Sequence, residues 1–160
     1  MVLAKLNTLH LLRELCGRVY FARSVYDETI LQGMRQGHED ARTLLLFLKQ
    51  LEWVPEEVDL ADIPADLHAA CLDQGERDTL ALAEALGRRL VLIDETVGRK
   101  VARDGGFTVR GSLGVLIEAY HQGLIQTEQL RLYFEEMARR QDIWINQALV
   151  ERLLQDLLGG

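Results

Sequence analysis

Leucines recur at Leu3, Leu6, Leu9, Leu12 and Leu15, with Leu11 widening the stripe, while Lys5, Arg13 and Glu14 take other positions. That spacing predicts an amphipathic helix from Val2 to Cys16, stopped by Gly17. Val19-Tyr20-Phe21 then predicts a short strand, and Ser24 an N-cap for a helix from Val25 to about Leu31 that contains Glu28. After Gly33 and Gly37, Leu44, Leu45, Phe47, Leu48 and Leu51 predict a helix over about Glu39 to Leu51. Trp53-Val54 predicts an edge strand ending at Pro55.

The pattern changes at Leu90-Val91-Leu92-Ile93, a short apolar run flanked by Arg88-Arg89 and Asp94-Glu95. It reads as a strand buried on both faces, which belongs inside a sheet. A helix from about Glu95 to Asp104 follows, ends at Gly105-Gly106, and gives way to a second strand at Phe107-Thr108-Val109. Strand, helix, strand predicts a parallel crossover unit. Ligands of open α/β sheets sit beyond the carboxyl ends of the strands, where Asp94, Glu95, Arg110 and Ser112 fall. Before this unit, LDQGERDTLALAEALG predicts a helix from Gly75-Glu76 to Leu86. After it come helices over Leu113–His121 and Thr127–Arg140, an Ile143-Trp144-Ile145 extension, Asn146 as N-cap and a last helix to Leu158. Helices outnumber strands, and the strands are buried and parallel, which predicts an α/β fold.

Composition narrows the function classes. The 160 residues, 48% hydrophobic, suffice for one core and predict a single domain over 1–160. The segment holding Pro55 and Pro64 is the only stretch that reads as a long irregular connection. The longest apolar run, Leu44 to Leu48, is far below the ~20 residues of a membrane span. With no secretory layout at the amino terminus, the expectation is a cytoplasmic protein without membrane contact. Cys16 and Cys71 stand apart from each other and from any His at ligand spacing, so they read as buried reduced thiols. A net charge of −7 argues against a general nucleic-acid coating protein. Local basic patches remain at Arg88-Arg89, Arg99-Lys100, Arg103 and Arg110, although a solvated helix face explains them equally. His10, His38, His68 and His121 have no partner at useful spacing.

Three acids stand at strand–helix junctions or in helix first turns: Glu28, Glu76 and Asp94. Carboxylates converging at a sheet's carboxyl edge suit Mg²⁺ or Mn²⁺, hard ions that take oxygen ligands and keep several waters. Each acid also has a plain structural role: Asp94 as an N-cap, Glu76 as a partner of the helix dipole, Glu28 as surface charge. Ser112 reads as the N-cap of the next helix or as a hydroxyl for phosphate or water, and Arg99 as a phosphate contact or a helix-surface ion pair.

Taken together, LNTLHLLRELCGRVYFARSVYDE, QGERDTLALAEALG, LVLIDETVGRKVA and GSLGVLIEAYHQGLI resemble the nucleic-acid-binding branch of prokaryotic PIN-domain proteins over nearly the whole chain. The resemblance implies a three-layer α/β domain with a mostly parallel central sheet flanked by helices. It also implies a metal-dependent ribonuclease, often the toxin of a toxin–antitoxin pair, with RNA as substrate and an antitoxin as protein partner. By position, Glu28 matches the acid of the second helical region, Glu76 the acid of the GE motif and Asp94 the acid after the fourth strand. All three become expected metal ligands, and Arg99 and Ser112 match the polar positions that follow. Asp27, Asp73 and Glu95 are neighbouring acids of lesser weight.

The resemblance departs at the amino end. Family members open with a strand ending in an Asp-x-Ser-Pro type motif, whereas Met1-Val2 leads directly into Leu3-Ala4-Lys5. Loss of that central strand and its Asp predicts a gap between Val19–Phe21 and Leu90–Ile93. Three explanations stand open: a start assigned too late, a truncation whose strands close on each other, or a strand supplied by a partner or by a second copy in a homodimer. A PIN-like module without catalysis, acting in nucleic-acid binding or protein interaction, is the alternative to the nuclease.

Overall fold

The computed structural model describes residues 1–59, 63, 67, 71–143 and 146–158. At its centre is a two-stranded parallel sheet of β1 (Leu90–Leu92) and β2 (Thr108–Arg110), in register Leu90↔Thr108, Val91↔Val109 and Leu92↔Arg110. The crossover between them is α7 (Thr96–Asp104). Before the sheet come α1 (Val2–Lys5), α2 (His10–Cys16), α3 (Arg23–Tyr26), a π-helical turn (Asp27–Gln32), α4 (Gly33–Arg35), α5 (Glu39–Gln50) and α6 (Gln74–Ala85). After it come α8 (Ser112–His121), α9 (Thr127–Arg139) and α10 (Gln147–Leu158).

Strand alternation explains the layering. Val91 and Ile93 turn to one face, into a core with Leu80, Ala81 and Ala83 of α6, Ala102 of α7, and Phe107. Leu92 turns to the other, against a larger core of Leu3, Leu11, Leu116, Leu130, Phe134 and Val150 drawn from α1, α2, α8, α9 and α10. Helices therefore cover both faces of a parallel sheet, the expected α/β arrangement.

Several elements differ from the sequence-based expectation. The Val2–Cys16 helix is split, because Asn7 takes a left-handed φ of 56° and Thr8 returns to Leu3 O through both its N–H (2.8 Å) and its hydroxyl (3.2 Å). The leucine stripe survives the break: Leu3, Leu6, Leu9 and Leu11 are all buried. Val19–Phe21 is not a strand. The segment makes one parallel bridge, Ala22↔Glu56, in which Glu56 N–H donates to Phe21 O and Arg23 N–H to Glu56 O, both at 2.9 Å. That bridge also replaces the edge strand expected at Trp53-Val54. The helix expected from Val25 starts at Arg23 with Ala22 rather than Ser24 as N-cap, and widens into the π turn that carries Glu28. Both cysteines are free, but Cys71 is exposed and Cys16 half-buried. Pro64, His68, Trp144 and Ile145 lie outside the described residues. Asn146 does cap the last helix, accepting from Leu149 N–H at 3.1 Å.

Gly33 marks the closest helix approach in this part of the chain. A Cβ there would stand 2.8 Å from Ala41 Cβ of α5, backbone-fixed on both sides. Gly33→Ala is expected to cost about 1–3 kcal/mol through overpacking, offset by at most about 1 kcal/mol of helix propensity. Urea unfolding should show a lower midpoint with an unchanged slope.

Candidate functional site

The sheet delivers two groups of polar side chains to the carboxyl end of β1. Asp94 stands two residues past the end of β1 and reaches across to α8, where its Oδ1 accepts from Ser112 N–H at 2.7 Å and its Oδ2 from the Ser112 hydroxyl at 2.5 Å. The N-cap of α8 by position is Gly111, and Ser112 is the first helical residue. Asp94 thus performs the capping assigned in sequence to Ser112, placing a carboxylate on a helix N-terminus from 18 residues away. A Cβ on Gly111 would fall 2.9 Å from Asp94 Oδ1 and would also strike Arg99 Nη1, so the carboxylate and the guanidinium both close over this glycine. Arg99 Nη1 in turn donates to Ile93 O at 3.5 Å. Arg110, the other cation expected here, pairs with Glu118 at 3.5 Å.

Glu95 does not join Asp94. It is the N-cap of α7, accepting from Val97 N–H at 2.5 Å and Gly98 N–H at 3.1 Å. Asp73 does the same for α6, accepting from Glu76 N–H at 2.7 Å. Glu76, in the first turn of α6, lays its carboxylate against Gly98 of α7, where a Cβ would stand 2.7 Å from Glu76 Cδ and 3.1 Å from Ile93 Cγ2. Its Oε1 is buried without a hydrogen-bond partner. Glu28 reaches the same turn from the π helix, with Oε2 3.3 Å from the position of a Gly75 Cβ.

Burial pushes the Glu76 carboxyl above the usual range, and the charges of Asp73, Glu95 and Glu28 push it further, offset in part by the Asp73 backbone. A carboxyl whose pKa is raised by folding favours the folded state below its unfolded pKa and loses that contribution as pH rises through the folded value. Glu76→Gln is therefore expected to raise the melting temperature at neutral pH. The gain should shrink as pH falls through the raised Glu76 value and be gone below the ordinary glutamate range, which a melting series from pH 3 to 8 would show.

Of the acids read from the sequence, Glu28 and Glu76 are brought together with Asp73 and Glu95, while Asp94 forms its own group with Arg99 and Ser112. The groups meet through α7 and Ile93, since Gly98 backs Glu76 and Arg99 reaches Gly111. Among the described residues no three Asp, Glu, His or Cys side chains already stand as an ion cage. The chain pattern missed the two glycines that make the approaches feasible. Their sequence signal was faint: a glycine in the first turn of the helix after LIDE and the glycine that opens GSLG. A cleft of about 220 Å³ opens beside Asp94, lined by Phe21, Val25, Leu92, Ile93 and Ser112.

Among the described residues no helix is long and apolar enough to cross a membrane. A family model described as a PIN domain matches residues 1–158. No curated protein and no solved structure matches the chain. The match spans β1, the crossover, β2 and both polar groups at the sheet's carboxyl end, and the chain belongs to the PIN-domain family.

Proposed function

We propose that this PIN-domain chain is a Mg²⁺- or Mn²⁺-dependent endoribonuclease of the cytoplasm, acting as the toxin of a toxin–antitoxin pair, with Glu28, Glu76 and Asp94 as ligands of the ion. The observation that supports it best is the buried, unpartnered Oε1 of Glu76 among like charges. An uncompensated carboxylate of this kind is costly unless protonated or met by a cation. The chemistry of the three side chains suits a hard divalent ion, since Glu28, Glu76 and Asp94 each offer carboxylate oxygens, although an ion held by all three would have to draw the two groups together. Such an ion, when bound, polarises a phosphate and activates water. The chain's own residues do the rest: Arg99, held over Gly111, contacts a phosphate oxygen through a planar fork suited to it. Ser112, whose hydroxyl is held by Asp94, keeps α8's N-terminus aimed at the same place.

A second reading, a binding module without catalysis, draws on one feature: both Asp94 oxygens are already engaged by Ser112. Calorimetric titration with Mn²⁺ separates the two. Micromolar binding that is lost in Glu76→Gln supports the nuclease, and a folded protein that releases no heat with Mn²⁺ or Mg²⁺ overturns it.

A further inference from the structure

Two surface helices carry exposed stripes of the same spacing and opposite charge. On α5, Glu39, Arg42, Leu46 and Lys49 are all exposed, and on α9 so are Glu128, Leu132, Glu135 and Arg139. Positions four before and three after a residue share its face of a helix, so each leucine has a charged side chain on either side of it along the axis. The signs are reversed: Arg42 and Lys49 flank Leu46, whereas Glu128 and Glu135 flank Leu132. Among the described residues these are the two most exposed leucines, at 59% and 61%. Glu39, Arg42, Lys49 and Glu135 form no ion pair among the described residues. Glu128 has Arg131 of its own helix at 3.7 Å. Being exposed, the two stripes do not cover each other within one chain.

Both stripes start from one place on the molecule. Lys5 Nζ stands 3.9 Å from Asp40, the neighbour of Glu39, and 3.2 Å from Asp142. Arg140, the neighbour of Arg139, donates to both Asp142 oxygens, at 2.9 and 2.8 Å, and to Lys5 O at 3.5 Å. The amino end of α5 and the carboxyl end of α9 are thus joined through Lys5. Each stripe extends from there over about 15 to 17 Å, at a rise of about 1.5 Å per residue. Met34, 45% exposed, widens the apolar part of the α5 face, because the residues that follow the facing pair Gly33 and Ala41 fall on one side of the α4–α5 hairpin.

We propose that a second copy of this chain covers these faces: α5 of one protomer lies antiparallel on α9 of the other, and the same contact repeats around a two-fold axis. Leu46 of one copy meets Leu132 of the other, Arg42 meets Glu135, Lys49 meets Glu128 and Glu39 meets Arg139, each charged pair of opposite sign. Helix geometry selects the direction. In both helices the charges four before and three after the leucine lie to the same side of it, so antiparallel packing brings the two charged edges together and parallel packing puts them on opposite sides. A two-fold contact is self-complementary, which sets the ends joined at Lys5, with Glu39 and Arg139, nearest the axis. Burial of the leucines supplies the attraction, while the charges fix direction and register. The contact is independent of whether the chain cleaves RNA.

Sedimentation equilibrium of the full chain tests this. The expected dissociation constant is about 10–100 μM, as for transient contacts at the small end of the specific range. At about 1 μM the parent is then monomeric, and unfolding there reports the single chain. Arg42→Glu alone and Glu135→Lys alone should each weaken association by about tenfold or more, since each sets like charges opposite one another. An equimolar mixture of these two variants should regain the parent's association, because the two changed side chains then face each other and so do the two unchanged ones. Leu46→Ala should also weaken association by about tenfold or more. Leu46 is exposed in the single chain, so its truncation leaves the fold in place. A parent that stays monomeric at several hundred micromolar, charge variants that associate like the parent, or a mixture that stays monomeric would each overturn the proposal. Rescue of Arg42→Glu by Glu128→Lys instead of Glu135→Lys would overturn the antiparallel contact.

Discussion

Asp94→Asn is expected to lower metal-stimulated RNA cleavage by more than about 100-fold while leaving the fold intact, whereas Asp94→Ala loses stability as well. The difference lies in what Ser112 needs. Asparagine keeps an oxygen for the Ser112 N–H and an amide that the Ser112 hydroxyl can accept from, so the cap on α8 persists. What it loses is the negative charge, and with it a ligand for a divalent ion; even outer-shell partners of metal sites are worth roughly 10- to 100-fold. Alanine removes both acceptors from the first turn of α8. A lost N-cap costs about 0.5–2 kcal/mol, and the charge at the helix N-terminus adds to it. The check is a cleavage assay on single-stranded RNA with Mn²⁺, run beside urea unfolding of both variants. Unchanged cleavage by Asp94→Asn would remove Asp94 from the metal site, and equal stability of the two variants would refute its capping role.

The largest loss of stability is expected from Phe134→Ala, about 3–5 kcal/mol. Phe134 is fully buried in the larger core, where Leu11 of α2, Leu116 of α8, Leu130 of its own helix and Val150 of α10 are also fully buried. Three of these four come from other helices, each held by its own packing, so the surroundings relax only in part into the cavity. Domains are stable by about 5–15 kcal/mol in total, which leaves this variant marginal at 37 °C. At about 2–4 °C per kcal/mol for a chain of this size, the melting temperature should fall by roughly 6–20 °C. Leu132, on the same helix but 61% exposed, is the control. Leu132→Ala should stay within about 0.5 kcal/mol of the parent. Similar losses in the two would show that the face of α9 has been misassigned.

The contrast between these residues is one the sequence contains. Leu130, Phe134 and Met137, spaced three and four apart, are the buried stripe of α9, and that periodicity is visible without coordinates. The same holds for the crossover: the apolar run at 90–93, the Gly105-Gly106 stop and the run at 107–109 predicted two parallel strands and the helix between them to within a residue or two. Helices and their stops are decided by neighbours three or four residues away, so the chain alone suffices. Placement of Glu76 in the first turn of α6 and of Asp94 just past β1 was legible for the same reason.

Other features were decided only by the packed structure. Val19-Tyr20-Phe21 has the composition of a strand, yet a strand exists only where a neighbour offers matching donors and acceptors, and this segment meets Glu56 through a single bridge. The leucine stripe of Val2–Cys16 continues through Asn7 as though the helix were unbroken, while the bonds from Thr8 to Leu3 O turn the chain there. Whether the acids form one group or two depends on where α6 and α8 stand relative to α7. That in turn depends on Gly98 and Gly111, which admit Glu76 on one side and Asp94 with Arg99 on the other. Local hydrogen bonding is written into the order of residues. The approach of elements 20 or 50 residues apart follows only from how their side chains fill space together.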